Sequence, residues 1–208
     1  MSQPFPSLQG PMFVIVRHGN TFEPGEPARR IGARTDLPLT PAGVAQADAL
    51  GRHFALHGWH FAQALVSPLR RTQATVAAIL AHQPVDAPLQ PRPCEWLREI
   101  DHGPDENRPE AEVVARVGDT ALADWDSRGT PPPGWIVNAE ARLQAWHGFL
   151  STAARPTLLV TSNGAARFAL LASGMTPGRA LKLATGAYGL IVREADGVLR
   201  VAAWDMRP

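Results

Sequence analysis

The stretch VIVRHGNT, residues 14–21, is an apolar β-forming run that passes directly into Arg17, His18 and Gly19. A second stretch, LLVTSNGAAR at 158–167, repeats the form with Asn163 where the first has His18. Between them, SPLRRTQAT at 67–75 ends an apolar run in Ser67 and sets Arg71 in the first turn of the helix that follows. In open α/β sheets, ligands gather beyond the carboxyl ends of the strands. The free N–H groups of helix N-termini favour an anion there. The macrodipole disfavours a cation in a first turn, so Arg71 points to something negative bound between it and the strand ends. A solvated Arg on an exposed turn would account for that residue alone, at a cost of about tenths of a kcal/mol. The chemistry on offer is recognition of an oxyanion.

The elements that must position these groups are legible from period and punctuation. Residues 12–16 form a short continuous apolar run, as expected of a fully buried strand. A Pro/Gly/Arg-rich loop leads to about residue 38. A helix then starts with Thr40 as N-cap and Pro41 at its first position. Val44, Ala47, Leu50, Gly51 and Phe54 would be its buried stripe. A strand is expected at 61–66, then a helix over 68–82 with Ser67 and Pro68 as a second cap signal. Leu69, Thr72, Val76 and Ile79 would be its buried face. Residues 84–110 read as loops with a short strand near 89–94. Helices follow at 110–127 and 138–153, separated by SRGTPPPGW. A strand at 156–162, a helix at 164–173 and a closing hairpin turned at Asp196-Gly197 complete the chain. The predicted fold class is α/β: a three-layer α/β/α sandwich whose sheet is mainly parallel with an antiparallel edge hairpin. Residues 1–208 read as a single domain with a helical or loop insertion at about 100–140, near the site.

The totals fit an enzyme-sized globular chain of 208 residues with a net charge of +1, which gives no strong pull toward nucleic acid or an anionic membrane. The basic residues are almost all Arg, with Lys182 the one lysine, so forked donors are plentiful. Cys94 is the single cysteine and reads as a small core residue in a reducing compartment. The polar, proline-broken start, MSQPFPSLQGP, is unlike a signal peptide, and no apolar run is long enough to span a bilayer. A cytoplasmic location is expected.

Taken in order, RHGNT, TDLPLTPAGVAQA, SPLRRTQAT, LREIDHG and the late strand-NG turn resemble the histidine phosphatase superfamily, the phosphoglycerate-mutase-like phosphatases. The resemblance covers about residues 12–110 and 156–205. It implies that His18 is a nucleophile carrying a phosphoryl group, with its other ring nitrogen fixed by an acceptor. It implies that Arg17 and Arg71 clamp non-bridging oxygens, and that Glu99 is the general acid and base. Outside that register Glu99 would read as an exposed loop carboxylate. Asn20 and Asn163 fall at phosphate-binding positions. Arg70, beside Arg71, matches a variable position and is left out. No cofactor is implied. The expected partners are a small phosphorylated substrate and inorganic phosphate.

The departures are specific. The superfamily usually ends its late strand in His-Gly, whereas this chain has Asn163, which can donate hydrogen bonds but brings no charge. Losing one charge-assisted contact costs about 1.5–3 kcal/mol, roughly ten- to a hundredfold in rate. His102 would offer a replacement cation if it pointed inward; packing or solvent exposure is the more ordinary expectation. Asn20 stands for a frequent Glu, Trp135 and Ile136 for Glu-Ser, and PDEN at 104–107 for a usual xWEG, which implies a pocket of altered shape and polarity. Three functions are compatible: a metal-independent phosphomonoesterase working through phospho-His18, a catalytically impaired member that binds a phosphorylated ligand or protein, and a mutase. Mutases resemble a longer version of the chain, and the short interval from Glu99 to Asn163 favours hydrolysis. His53, His57 and His60 have helical spacing but no HExxH or Cys/His companion, so they read as a polar stripe rather than a metal site. Asp48 and Arg52 form an i,i+4 pair. Trp96, Trp125, Trp135 and Trp146 read as packing rather than as a lid.

Overall fold

A computed structural model describes residues 11–84, 88–174 and 180–208. The reading made of the N-terminal residues 1–10 lies outside this range. Six strands form one sheet in the order β3-β2-β4-β1-β5-β6: β1 (Met12–Arg17), β2 (Gln63–Val66), β3 (Arg92–Pro93), β4 (Thr157–Thr161), β5 (Tyr188–Arg193) and β6 (Leu199–Met206). The β1–β4, β2–β4 and β2–β3 pairs are parallel, and β5 joins β1 and β6 antiparallel. The edge hairpin turns at Asp196-Gly197, where Gly197 takes a φ of +88° and Asp196 accepts the Val198 N–H.

Alternation along the strands builds two cores. Phe13, Ile15, Leu65, Leu159 and Ile191 face one side, packed against α3 (Glu110–Arg128), α4 (Ala139–Thr152) and α5 (Asn163–Ala172). Val14, Val16, Val66, Leu158 and Val160 face the other, against α1 (Pro41–Leu56) and α2 (Arg70–Leu80). A sheet buried on both faces needs strands that are apolar throughout, which is why β1 and β4 read as unbroken runs. The result is the predicted three-layer sandwich.

Local chemistry sets most of the boundaries. The Thr40 side chain accepts the Gly43 N–H and starts α1, as its sequence predicts. The second cap signal fails, because the N-cap of α2 is Leu69 and the Ser67 hydroxyl is buried without a partner. Two further expectations need correction. Val44 is 48% exposed, and Gly43 takes its place in the buried stripe of α1. The strand near 89–94 shrinks to two residues. α3 is bent at Gly118, whose φ of +79° and ψ of 156° break the helical path. A glycine inside a helical pattern carries that possibility but does not announce it.

The weaker sequence signals resolve into packing. His53 Nε2 meets the Tyr188 hydroxyl at 3.1 Å, and Asp48 pairs with both Arg52 and His82. Trp96 and Trp146 meet edge to face in the core at 4.8 Å. Cys94 is half-buried against the same core. No helix among the described residues is long and apolar enough to cross a membrane.

Candidate active site

The carboxyl ends of β1, β2 and β4 converge on one cleft. His18 follows β1 and is 6% exposed. Its Nδ1 lies 2.8 Å from the Gly19 carbonyl oxygen, which can only accept, so Nδ1 carries the proton. Nε2 then has a lone pair, and it accepts from Arg71 Nε at 3.1 Å. Burial, followed by the charges of Arg71 and Arg17, holds the imidazole pKa well below its usual value, so the ring is neutral. The turn is fixed by a close crossing of backbones. A Cβ on Gly19 would collide with the Gly43 carbonyl oxygen, and one on Gly43 would collide with the Asn20 carbonyl oxygen. Gly19 is therefore needed for packing on the start of α1.

Arg71 is fully buried at the start of α2. Its Nη1 donates to the Thr35 carbonyl at 2.9 Å and its Nη2 to the Gly32 carbonyl at 3.3 Å. All three nitrogens of the fork thus have acceptors, and only the Nε edge meets His18. Burial lowers the Arg71 pKa while Glu99, Asp36 and Glu106 oppose that shift. Arg17 donates through Nη1 to the Leu183 carbonyl at 2.6 Å, and its Nε is buried without a partner. Burial lowers the Arg17 pKa to about 10, so it remains a cation at neutral pH. Arg70 is exposed and only its backbone N–H reaches Asp36.

Glu99 is 5% exposed, not the solvated carboxylate its loop position would imply in isolation. Oε1 accepts the Ile100 N–H at 2.8 Å and Oε2 accepts the Gly164 N–H at 3.0 Å. A Cβ at 164 would collide with Oε1, so the glycine after Asn163 is what lets the carboxylate lie on the N-terminus of α5. Asn163 Oδ1 accepts the Leu183 N–H at 3.0 Å, which leaves its amide NH2 for the cleft. Leu183 is thus gripped twice, by Asn163 at its N–H and by Arg17 at its carbonyl. Nothing in the sequence singled it out.

The cleft has two connected parts. A cavity of about 240 Å³ is lined by Arg17, His18, Asn20, Phe22 and Glu99. A second of about 450 Å³ shares Arg17, Phe22 and Glu99 and adds His102, Trp125, Asn163 and Lys182. His102 is 6% exposed and lines this second cavity, so it neither faces solvent nor packs out of reach. Its ring meets Trp135 edge to face at 4.5 Å. Trp125 and Asp126 bring α3 to the wall, so the 110–128 segment borders the site.

The profile of the histidine phosphatase superfamily (branch 1) matches residues 13–203. The chain belongs to that superfamily. A stretch of 121 residues is 33% identical to the fructose-2,6-bisphosphatase TIGAR of Xenopus tropicalis, spanning 58% of this chain and 42% of that protein. The chain thus spans less than half the length of this relative. Among solved structures, mycobacterial hydrolase 1 superposes with a TM-score of 0.79 at 18% identity, covering 96% of this chain and 100% of that one. The mycobacterial glucosyl-3-phosphoglycerate phosphatase in complex with inorganic phosphate superposes with a TM-score of 0.74 at 19% identity, covering 95% and 98%. At these identities the structural likeness establishes the shared α/β fold.

Proposed function

We propose that this superfamily member is a phosphomonoesterase that hydrolyses a small phosphorylated molecule through a phosphohistidine on His18. The observation that carries the reading is the neutral His18 ring. Its proton is tied to Gly19 and its Nε2 lone pair lies against a buried arginine. A neutral imidazole is the nucleophilic form, and a nearby guanidinium can take the charge of the phosphoryl oxygens. The structural relative solved with inorganic phosphate supports phosphate as the bound product.

In the first step Nε2 attacks phosphorus in line, the N–P bond forms and the bond to the ester oxygen breaks. The Arg71 Nε–H passes from Nε2 to a non-bridging oxygen, and Arg17 and the amides of Asn163 and Asn20 bind the others. Glu99 gives its proton to the departing alkoxide. In the second step water attacks phosphorus, the N–P bond breaks, and Glu99 takes a proton from that water. Phosphate leaves and His18 is again neutral. Side chains fill every role in this scheme, so the reaction runs without a metal. Residues of the 100–140 segment, His102, Trp125 and Asp126 among them, form part of the wall.

The test is hydrolysis of an aryl phosphate in EDTA by wild type and His18→Ala. Turnover that vanishes in the variant is the expected result, and turnover that survives overturns the assignment. Asn163 is the observation favouring the second reading, an impaired member that binds a phosphorylated ligand. That reading predicts phosphate binding with no turnover, and recovery of turnover in Asn163→His.

A further inference from the structure

Glu106 belongs to the PDEN segment and has no role in the scheme above, yet its side chain is 6% exposed and every one of its contacts leads toward the site. Oε1 accepts the Gly32 N–H at 2.9 Å, the Arg34 N–H at 3.1 Å and the Thr35 hydroxyl at 2.8 Å. These three residues form the loop whose carbonyls, Gly32 and Thr35, hold the two Nη groups of Arg71. Oε2 accepts the His102 N–H at 3.1 Å and lies 3.5 Å from His102 Nδ1, on the wall of the larger cavity. One carboxylate thus joins the loop that holds Arg71 to the histidine that lines the larger cavity.

We infer that Glu106 is a positioning residue for catalysis: it fixes residues 32–35 so that Arg71 presents its Nε edge to His18 and to the phosphoryl oxygens. The inference rests on the proposed role of His18 and Arg71. A guanidinium on a long side chain has many rotamers, and binding an anion with it is stronger when two of its nitrogens are already held. Loop carbonyls can do that only if the loop is itself fixed, and a single carboxylate receives three of its donors. Burial would raise the Glu106 pKa, but the hydrogen bonds from His102 and Thr35 outweigh it and hold the group at about 2. It is a carboxylate throughout the neutral range. Space is also used up: a Cβ at Gly32 would collide with Glu106 Oε2 and crowd His102.

Glu106→Gln is the test, with Asp105→Asn as its matched control. The glutamine keeps the volume but removes the negative charge that the three loop donors share, and its NH2 opposes the His102 N–H when its oxygen faces the loop. Asp105 is the buried neighbour on the same turn, and it holds Arg116 and the Trp135 indole rather than the 32–35 loop. Inorganic phosphate affinity by calorimetry, kcat and KM for an aryl phosphate, and Tm are measured for both. The expected result is phosphate binding weakened about tenfold or more in Glu106→Gln with a matching fall in kcat/KM. Asp105→Asn is expected to lose Tm while keeping phosphate affinity. Glu106→Gln with a lowered Tm and unchanged phosphate affinity would overturn the inference and leave the function standing. Wild type that neither binds phosphate nor turns over would overturn both.

Discussion

Arg71 Nε donates to His18 Nε2 across 3.1 Å, and the same guanidinium is held behind by the Thr35 and Gly32 carbonyls. The proposed nucleophile and the proposed clamp are therefore joined by a direct hydrogen bond into one unit.

Arg71→Lys tests that unit. Lysine keeps the charge but has a single point of donation, so it cannot serve His18 and two carbonyls in one plane. We expect kcat/KM to fall by about a hundredfold, which corresponds to roughly 2.7 kcal/mol of lost transition-state stabilisation. Steady-state kinetics on an aryl phosphate decide it, and a loss below threefold would mean that charge alone suffices.

Gly164→Ala tests the seat of Glu99. The added methyl would collide with Oε1 while leaving every polar group in place. The expected outcome is a fall in kcat of about tenfold or more, with inorganic phosphate affinity nearly unchanged, because in the proposed reaction the carboxylate transfers protons and does not bind phosphate. Equal losses in both would show that α5 as a whole had moved.

The first and last of these residues were legible in different ways. RHG and SPLRRT carry His18, Arg17 and Arg71 because a strand end followed by a glycine or a helix start leaves a chemical pattern in the sequence. Leu183, Gly32 and Thr35 act through backbone N–H or carbonyl groups, which every residue has, so no residue type marks them. Glu106 stands where the usual xWEG also has Glu, inside a segment otherwise changed to PDEN, and its meaning depends on a loop some seventy residues earlier in the chain. The fold shows the same division. The buried strands and the Thr40 cap follow from composition at each position, whereas Leu69 capping α2 in place of Ser67 and the bend at Gly118 are settled by tertiary packing.

Asn163→Asp probes the departure from the usual histidine. Aspartate is isosteric and still accepts the Leu183 N–H, but it replaces an amide donor in the cleft with a negative charge. Phosphate affinity is expected to drop at least tenfold with little change in Tm. Asn163→His should move activity the other way, by about tenfold, if it adds a cationic donor. Titration calorimetry with inorganic phosphate and thermal melts separate the two effects.

The pH dependence has a definite sign. His18 has its pKa lowered by burial first and then by Arg71 and Arg17, so the folded chain keeps it neutral where an unfolded chain would protonate it. Its contribution to stability is full above the ordinary histidine pKa of about 6.5 and is lost as pH falls below that value. The neutral form persists below the same point, so any acid limb of kcat/KM attributable to His18 is displaced below the range in which an ordinary histidine titrates. Replacing His18 by Ala should flatten the fall in Tm over that range, and an unchanged slope would show that the ring is not held neutral.

A phosphoryl group on His18 defines the proposed reaction, and it can be trapped. Enzyme mixed with excess aryl phosphate, quenched in base within the first turnovers and mapped by mass spectrometry, should carry one phosphoryl group on the peptide containing His18. The same treatment of His18→Ala should leave that peptide unmodified and yield no phosphate. Sustained release of phosphate by wild type with no phosphorylated His18 at any quench time, or turnover by His18→Ala, would rule out the phosphohistidine route.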